Sequence, residues 1–343
     1  MKKLYVIIGC DSDADRPGFV PGVIDEGTSW RGLLEGPELL RKALSGCRDS
    51  VVKNPKVTWV IRVDAQVEKI YGDCGWVLEK YKDNLLNLEA GGDELGWHPH
   101  FYKYDDGQKR WYQEVGDTDW QLQMLEKGFA AYQRVFPGRA RSVRMGWIYH
   151  NNLTMQKLSQ LGVRVEFSAL PGLRTYVKSG KRPYNIFDWY VTPGEAYFPS
   201  TVDFRRPAKG EERALPILEI PNFVSNSRLW GMITGLQFTR KMKKINYISD
   251  AFSRPTYWIN ITGAANLFAP VAKSLENFVK KADSSVIFAT YFHADELLNN
   301  GKTLYSLPAM QRNIELILSN CERDHIPVEF ITATEALKII QPQ

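Results

Sequence analysis

Few features of this sequence assign it at a glance, and what it lacks narrows the field first. No apolar run approaches the roughly 18 residues of a membrane span, which excludes a bundle of transmembrane helices. Only 4 cysteines occur (Cys10, Cys47, Cys74 and Cys321), scattered and without a C-x-x-C pair. That spacing excludes a disulfide framework; it reads as reduced thiols and favours the cytoplasm. Runs of one charge are missing too. The 44 basic and 39 acidic residues are interspersed, and a net charge of +5 makes no case for nucleic acid. The short basic run Arg240–Lys244 reads as a solvated face, and there is no internal repeat or low-complexity tract. Met1-Lys2-Lys3 before Leu4 to Cys10 imitates a lipoprotein-type signal. Its apolar stretch falls short of the roughly 7–15 residues of such a segment, so a buried first strand is expected there.

What is present is ordinary for a globular chain: 343 residues, 44% hydrophobic and 24% charged. Apolar, β-branched runs recur at Leu4–Ile8, Val57–Val63, Val163–Phe167, Ile217–Ile220, Val286–Tyr291 and Val328–Ile331. Segments with helical spacing lie between them. Leu122, Leu125, Phe129, Tyr132 and Phe136 follow a Thr118-x-x-Gln121 capping box, and Met155, Leu158 and Leu161 are stopped by Gly162. Further helices are expected over Leu307–Cys321 and Thr334–Ile340. Strands alternating with helices imply an α/β fold with a parallel sheet, open or closed into a barrel. Residues about 173–215 and 222–262, rich in Pro, Gly, Tyr and Trp, break the alternation and read as long insertions over the site. Residues 1–343 are expected to form one catalytic domain.

In either architecture, ligands gather at the C-terminal ends of the parallel strands. Asp11, Asp64, His98, Arg144 and His293 each lie at or just past such an end. Asp11-Ser12-Asp13 sends both carboxylates to one side if the chain stays extended, with one free to ligate a metal and the other to take a proton from water. His98-Pro99-His100 likewise places two of the 5 histidines on one side. Two neutral imidazoles suit a divalent first-row metal, usually zinc. Glu94 is a candidate to orient a ligating histidine, and Arg144 to fix a carboxylate by a bidentate pair. His293 is a candidate general acid, with Asp295 or Asp64 at its other nitrogen. Trp97 and Trp147 adjoin this cluster and are candidate stacking platforms for sugar rings.

The order Asp11-x-Asp13, Glu94-Leu95-Gly96-Trp97-His98, Arg144 and the late His293 resembles the polysaccharide deacetylase family, the NodB-homology carbohydrate esterases. The stretches Gly162–Gly172, Tyr197–Ser200 and Leu218–Pro221 resemble the branch associated with surface-polysaccharide (O-antigen) gene clusters. The resemblance implies a distorted (β/α)7 barrel and metal-dependent, zinc-type hydrolysis of an acetyl or other small acyl group on an amino sugar. It implies Asp11 as base, Asp13 and His98 as metal ligands, Arg144 as the residue that orients the base, and His293 as acid. Asp64, Trp97, Trp147 and Tyr197 become the substrate-binding candidates, with Glu94 and Asp295 behind them.

The sequence departs from that family at two places. The family's second ligand histidine comes four residues after the first, where this chain has Tyr102, so His100 is the candidate replacement. Gly146-Trp147 stands where the family has a proline-containing pocket. An incomplete metal site would leave a non-catalytic carbohydrate-binding relative. A glycosyltransferase built on Asp11-x-Asp13 would leave the histidine pair without a task, and a two-carboxylate glycoside hydrolase needs no metal.

Overall fold

The computed structural model describes residues 2–15, 27–177, 184–225, 227, 229–233, 256–299 and 303–340. The basic run Arg240–Lys244 and much of the expected 222–262 insertion lie outside the described residues. In chain order the elements are β1 (Leu4–Ser12), α1 (Arg31–Ala43), β2 (Thr58–Arg62), α2 (Ala65–Tyr71), α3 (Trp76–Lys80), α4 (Lys82–Ala90) and β3 (Glu94–His98). A hairpin, β4 (Tyr102–Asp105) and β5 (Arg110–Gln113), precedes α5 (Thr118–Val135), β6 (Ser142–Val143), α6 (Asn152–Gln160) and β7 (Val165–Glu166). A second hairpin, β8 (Arg174–Val177) and β9 (Tyr184–Asp188), leads to β10 (Leu218–Glu219) and α7 (Ala265–Lys281). The chain ends with β11 (Val286–His293), α8 (Leu307–Arg323), β12 (Val328–Ile331) and α9 (Leu337–Ile340).

The main sheet is parallel, in the order β10-β7-β6-β3-β2-β1-β11, with β12 pairing the first half of β1. It curls into a seven-stranded α/β barrel-like ring whose edges meet at one bridge. Asn222, just past β10, bridges Ala289 of β11 in parallel, while its backbone N–H donates to Ala169 O at 2.8 Å. β1 pairs three strands and is buried along its length except at Tyr5, as an apolar segment of its kind favours.

Alternation along each strand splits the core in two. Leu4, Val6, Ile8 and Cys10 face the helices, in one cluster with Trp59, Ile61 and Trp97. Ile7, Val60, Val165, Phe167, Leu218, Ile220 and Ala289 fill the inside of the ring. Phe167 reaches so far across that a Cβ on Gly9 would stand 2.6 Å from its ring. The same parity carries the residues at the strand ends inward or outward.

The expected helices form, with two differences: the segment expected as a helix over Thr334–Ile340 begins as a 3-10 turn, Thr334–Ala336, before α9, and α5 differs at its N-terminus. The N-cap of α5 is Asp117, whose carboxylate accepts from Trp120 N, and not Thr118. Gln121 is buried and donates to Glu114 O at 2.8 Å, so it is not free to close a capping box. Gly162 does end α6, at φ 91°. All four cysteines are free and buried.

Residues 189–215 pack beside β10, with Ala196 and Phe198 against the inner cluster and Tyr197 on the other side. Trp189 is buried against Phe204 and His150, its Nε1 donating to Ile148 O at 2.7 Å. Tyr197 bridges Glu219. Beneath this cover lie two adjacent buried carboxyl groups, Glu166 and Glu219. Burial pushes both up. For Glu166 this is reversed by the hydrogen bond from Glu219 and by His150, 3.4 Å away, so it stays ionised. For Glu219 the Glu166 charge adds to burial and keeps the proton on. Glutamine mimics the protonated group and not the anion. Glu219→Gln should thus melt close to the parent, and Glu166→Gln should lose about 1–3 kcal/mol in denaturant titrations. A larger loss for Glu219→Gln would reverse this assignment.

Candidate metal centre

β1, β2, β3, β6 and β11 end at the same rim of the ring, and their inward positions there are polar. Asp11 lies opposite His293 in the β1–β11 register, and β2 places Arg62 opposite His98 of β3. β1 stays extended to Ser12, so Asp13 keeps the side of Asp11, and His100 keeps that of His98.

Asp13, His98 and His100 bring one ligand atom each within 4.8 Å of the others. His98 Nε2 is 3.0 Å from His100 Nε2 and 3.8 Å from Asp13 Oδ2, and His100 Nε2 is 3.5 Å from Asp13 Oδ1. Donors about 2.0–2.1 Å from a tetrahedral ion lie roughly 3.3 Å apart, near the 3.0 Å between the two imidazole nitrogens and the distances from each imidazole to its nearer Asp13 oxygen. His98 Nδ1 donates to Arg144 O at 2.5 Å, which leaves the Nε2 lone pair for the centre. Burial, reinforced by the Arg62 charge, lowers His100 to about 4, so its imidazole is neutral. Burial lowers His98 as well, but the Asp11 and Asp13 charges outweigh it and raise its basicity. Burial raises Asp13, yet Arg62 and the two imidazoles hold its carboxyl well below the usual range. Two imidazole nitrogens and a carboxylate oxygen, all buried, are a donor set that could hold a metal ion.

Around the three donors stand the other charged groups. Arg144 donates from Nη1 to Asp11 Oδ2 and lies 3.6 Å from the centre of the Tyr291 ring. Asp11 Oδ1 is buried without a hydrogen-bond partner. His293 Nε2 is 3.7 Å from Asp11 Oδ2, and its side chain is 22% exposed, the most open member of the cluster. Its Nδ1 stands 3.3 Å from Glu296 Oε1.

Several expected residues are elsewhere. Trp97 is fully buried on the helix side, donating to Val63 O, because a neighbour of His98 in a strand must face the other way. Glu94 is at the start of β3 and accepts from Thr334 N at 3.0 Å. Four residues of strand, about 13 Å, separate it from His98, too far to orient it. Tyr197 lies outside the ring, its hydroxyl donating to Phe204 O. Glu296, rather than Asp295 or Asp64, faces the second nitrogen of His293. Asp64 caps α2 through Gln66 N and Val67 N and pairs with Arg62 Nε at 2.8 Å. Trp147 does adjoin the cluster, donating to Tyr102 Oη at 2.6 Å.

Arg62, Tyr291 and Glu296 belong to the cluster although no motif pointed to them. Arg62 had a signal: a charged residue at the end of a buried β-branched run needs a buried counter-charge. It is fully buried and donates to Asp13 Oδ1 at 3.0 Å as well as to Asp64.

No protein-family model matches the sequence, and no curated protein does. Solved structures do. A candidate polysaccharide deacetylase from Mycobacterium smegmatis aligns with a TM-score of 0.51 at 13% identity, over 99% of this chain and 90% of the other. A candidate glycoside hydrolase/deacetylase from Parabacteroides distasonis aligns with a TM-score of 0.54 at 13% identity, over 100% and 71%. The fold is that of the polysaccharide deacetylases. At such identity the likeness speaks for architecture only, and the chemistry of this deacetylase fold rests on its own side chains.

Within it, Arg62 compensates two buried carboxylates. Arg62→Ala should destabilise the protein by about 3–5 kcal/mol in urea titrations, since both lose their buried cation. A loss below about 1 kcal/mol would mean that another group takes over the pairing.

Proposed function

We propose that the protein is a metal-dependent hydrolase that removes an acetyl or other small acyl group from an amino sugar of a surface polysaccharide or its precursor. The observation that carries this reading is the convergence of Asp13, His98 and His100 beside an arginine-bound Asp11 and a partly exposed His293. The residues 1–343 act in this reading as one catalytic domain. Its four free, buried cysteines favour a reducing compartment and so a cytoplasmic precursor as substrate. No described helix is long and apolar enough to cross a membrane.

Asp13, His98 and His100 would hold the ion, which supplies Lewis acidity toward an acyl carbonyl and an adjoining water. Asp11 is the base. Arg144 occupies its Oδ2 and so leaves Oδ1 free to take the proton of the attacking water. His293 is the acid for the departing amine or alkoxide. It is partly exposed, and Glu296 Oε1 stands 3.3 Å from its Nδ1, the nitrogen away from Asp11. Trp147 at the rim, and Trp258 stacked 6.1 Å from Tyr291, are the aromatic surfaces on which a sugar can rest.

Purified protein should contain near-stoichiometric zinc-type metal, lost on His98→Ala and measured by elemental analysis; metal-free folded protein would end this reading. Asp11→Asn should keep the metal and lose turnover by at least about 100-fold, with retained activity overturning the role given to Asp11. Released acetate or formate, rather than reducing sugar or nucleotide, separates acyl hydrolysis from glycoside hydrolysis and glycosyl transfer.

A further inference from the structure

We infer that Gly146 and Tyr102 are positioning residues for the metal ligand His100, forming the two walls of a slot for its imidazole. The inference rests on the metal-site reading above and concerns how this chain supplies a second imidazole from an H-x-H pair.

One wall is backbone. A Cβ built on Gly146 would lie 2.5 Å from His100 Cδ2 and closer still to Cγ and Nδ1. Those atoms are the root of the imidazole, not the tip of a flexible chain, so no small bend relieves the overlap. Gly146 cannot retreat cheaply, because its N–H donates to Pro99 O at 2.8 Å, one residue before the histidine it faces. The turn that presents it is held in an unusual shape. Trp147 and Ile148 have φ of 56° and 49°, a region where a β-branched residue is strained and persists only if its surroundings enforce it. Ser168 Oγ accepts from Met145 N at 2.7 Å and anchors the entry to that turn.

The other wall is aromatic. The Tyr102 ring lies parallel to His100, 5.1 Å between centres at 9°. Its hydroxyl accepts from Trp147 Nε1, so the residue after Gly146 braces the opposite wall. The imidazole meets His98 edge-on at 88°, which turns its Nε2 toward His98 Nε2 and Asp13. The departures at 102 and at 146–147 are in this sense one change: the side chain at 102 no longer ligates but presses the histidine at 100 into place, and the turn at 146–147 makes room for it.

The test is a double-mutant cycle read by metal affinity and cobalt(II) absorption on metal-free full-length protein. Gly146→Ala should weaken cobalt and zinc binding by about 10–100-fold, and its cobalt spectrum should match that of His100→Ala. In the His100→Ala background the same alanine should add nothing, because the ligand it displaces is gone. Tyr102→Leu, which removes the stacked ring without adding an atom against the backbone, should behave likewise and answers independently if the alanine variant does not fold. Tyr102→Phe should retain most of the affinity. Equal losses with and without His100, or parental affinity and spectrum in both Gly146→Ala and Tyr102→Leu, would overturn the slot. Parental protein that binds neither metal would overturn the metal-site reading and the slot with it.

Discussion

Three carboxylates, Asp11, Asp13 and Asp64, are buried at one rim of the ring, and two buried arginines hold them there. Ionised groups removed from water cost several kcal/mol each unless paired and hydrogen-bonded. The pairing divides the labour. Arg144 takes one oxygen of Asp11 and leaves the other bare, whereas Arg62 ties Asp13 to the α2 cap through Asp64. Arg144 also fixes His98 through its carbonyl oxygen. One residue just past β6 thus sets both the proposed base and the tautomer of a proposed ligand.

The second constraint is alternation. Inward positions on five strands of a curled parallel sheet converge at its C-terminal rim, which is why ligands collect there in such folds. The same alternation turns Trp97 and Cys10 into the helix-facing core although each adjoins a site residue in sequence. An aromatic flanked by site residues on a strand is for that reason a poor candidate for a sugar platform. Trp147 escapes the rule because it lies in a turn, and Trp258 because it comes from a separate segment lying against β11.

Tightness at the rim explains how a histidine pair two residues apart can fill the proposed ligand role where a four-residue spacing was expected. Past the end of β3 the chain keeps its in-and-out alternation through Pro99, and His100 arrives on the same side as His98. Space then decides. The imidazole fits because the facing turn presents a glycine, and it is held because a tyrosine covers it.

By itself the sequence determined the alternation of strands and helices, the positions of six strands and four helices, and the placing of Asp11, His98, Arg144 and His293 at strand ends. These are consequences of backbone geometry within one segment, where a period of two or 3.6 can be read directly. It also held the reason to set Trp97 and Glu94 aside, through parity and the length of β3. Only the tertiary structure decided that Arg62 meets Asp13 across 49 positions, that Glu296 and not Asp295 stands behind His293, and that Gly146 lies against His100. Charge compensation and close approach depend on which distant strands become neighbours and in what register, and no local pattern carries that information.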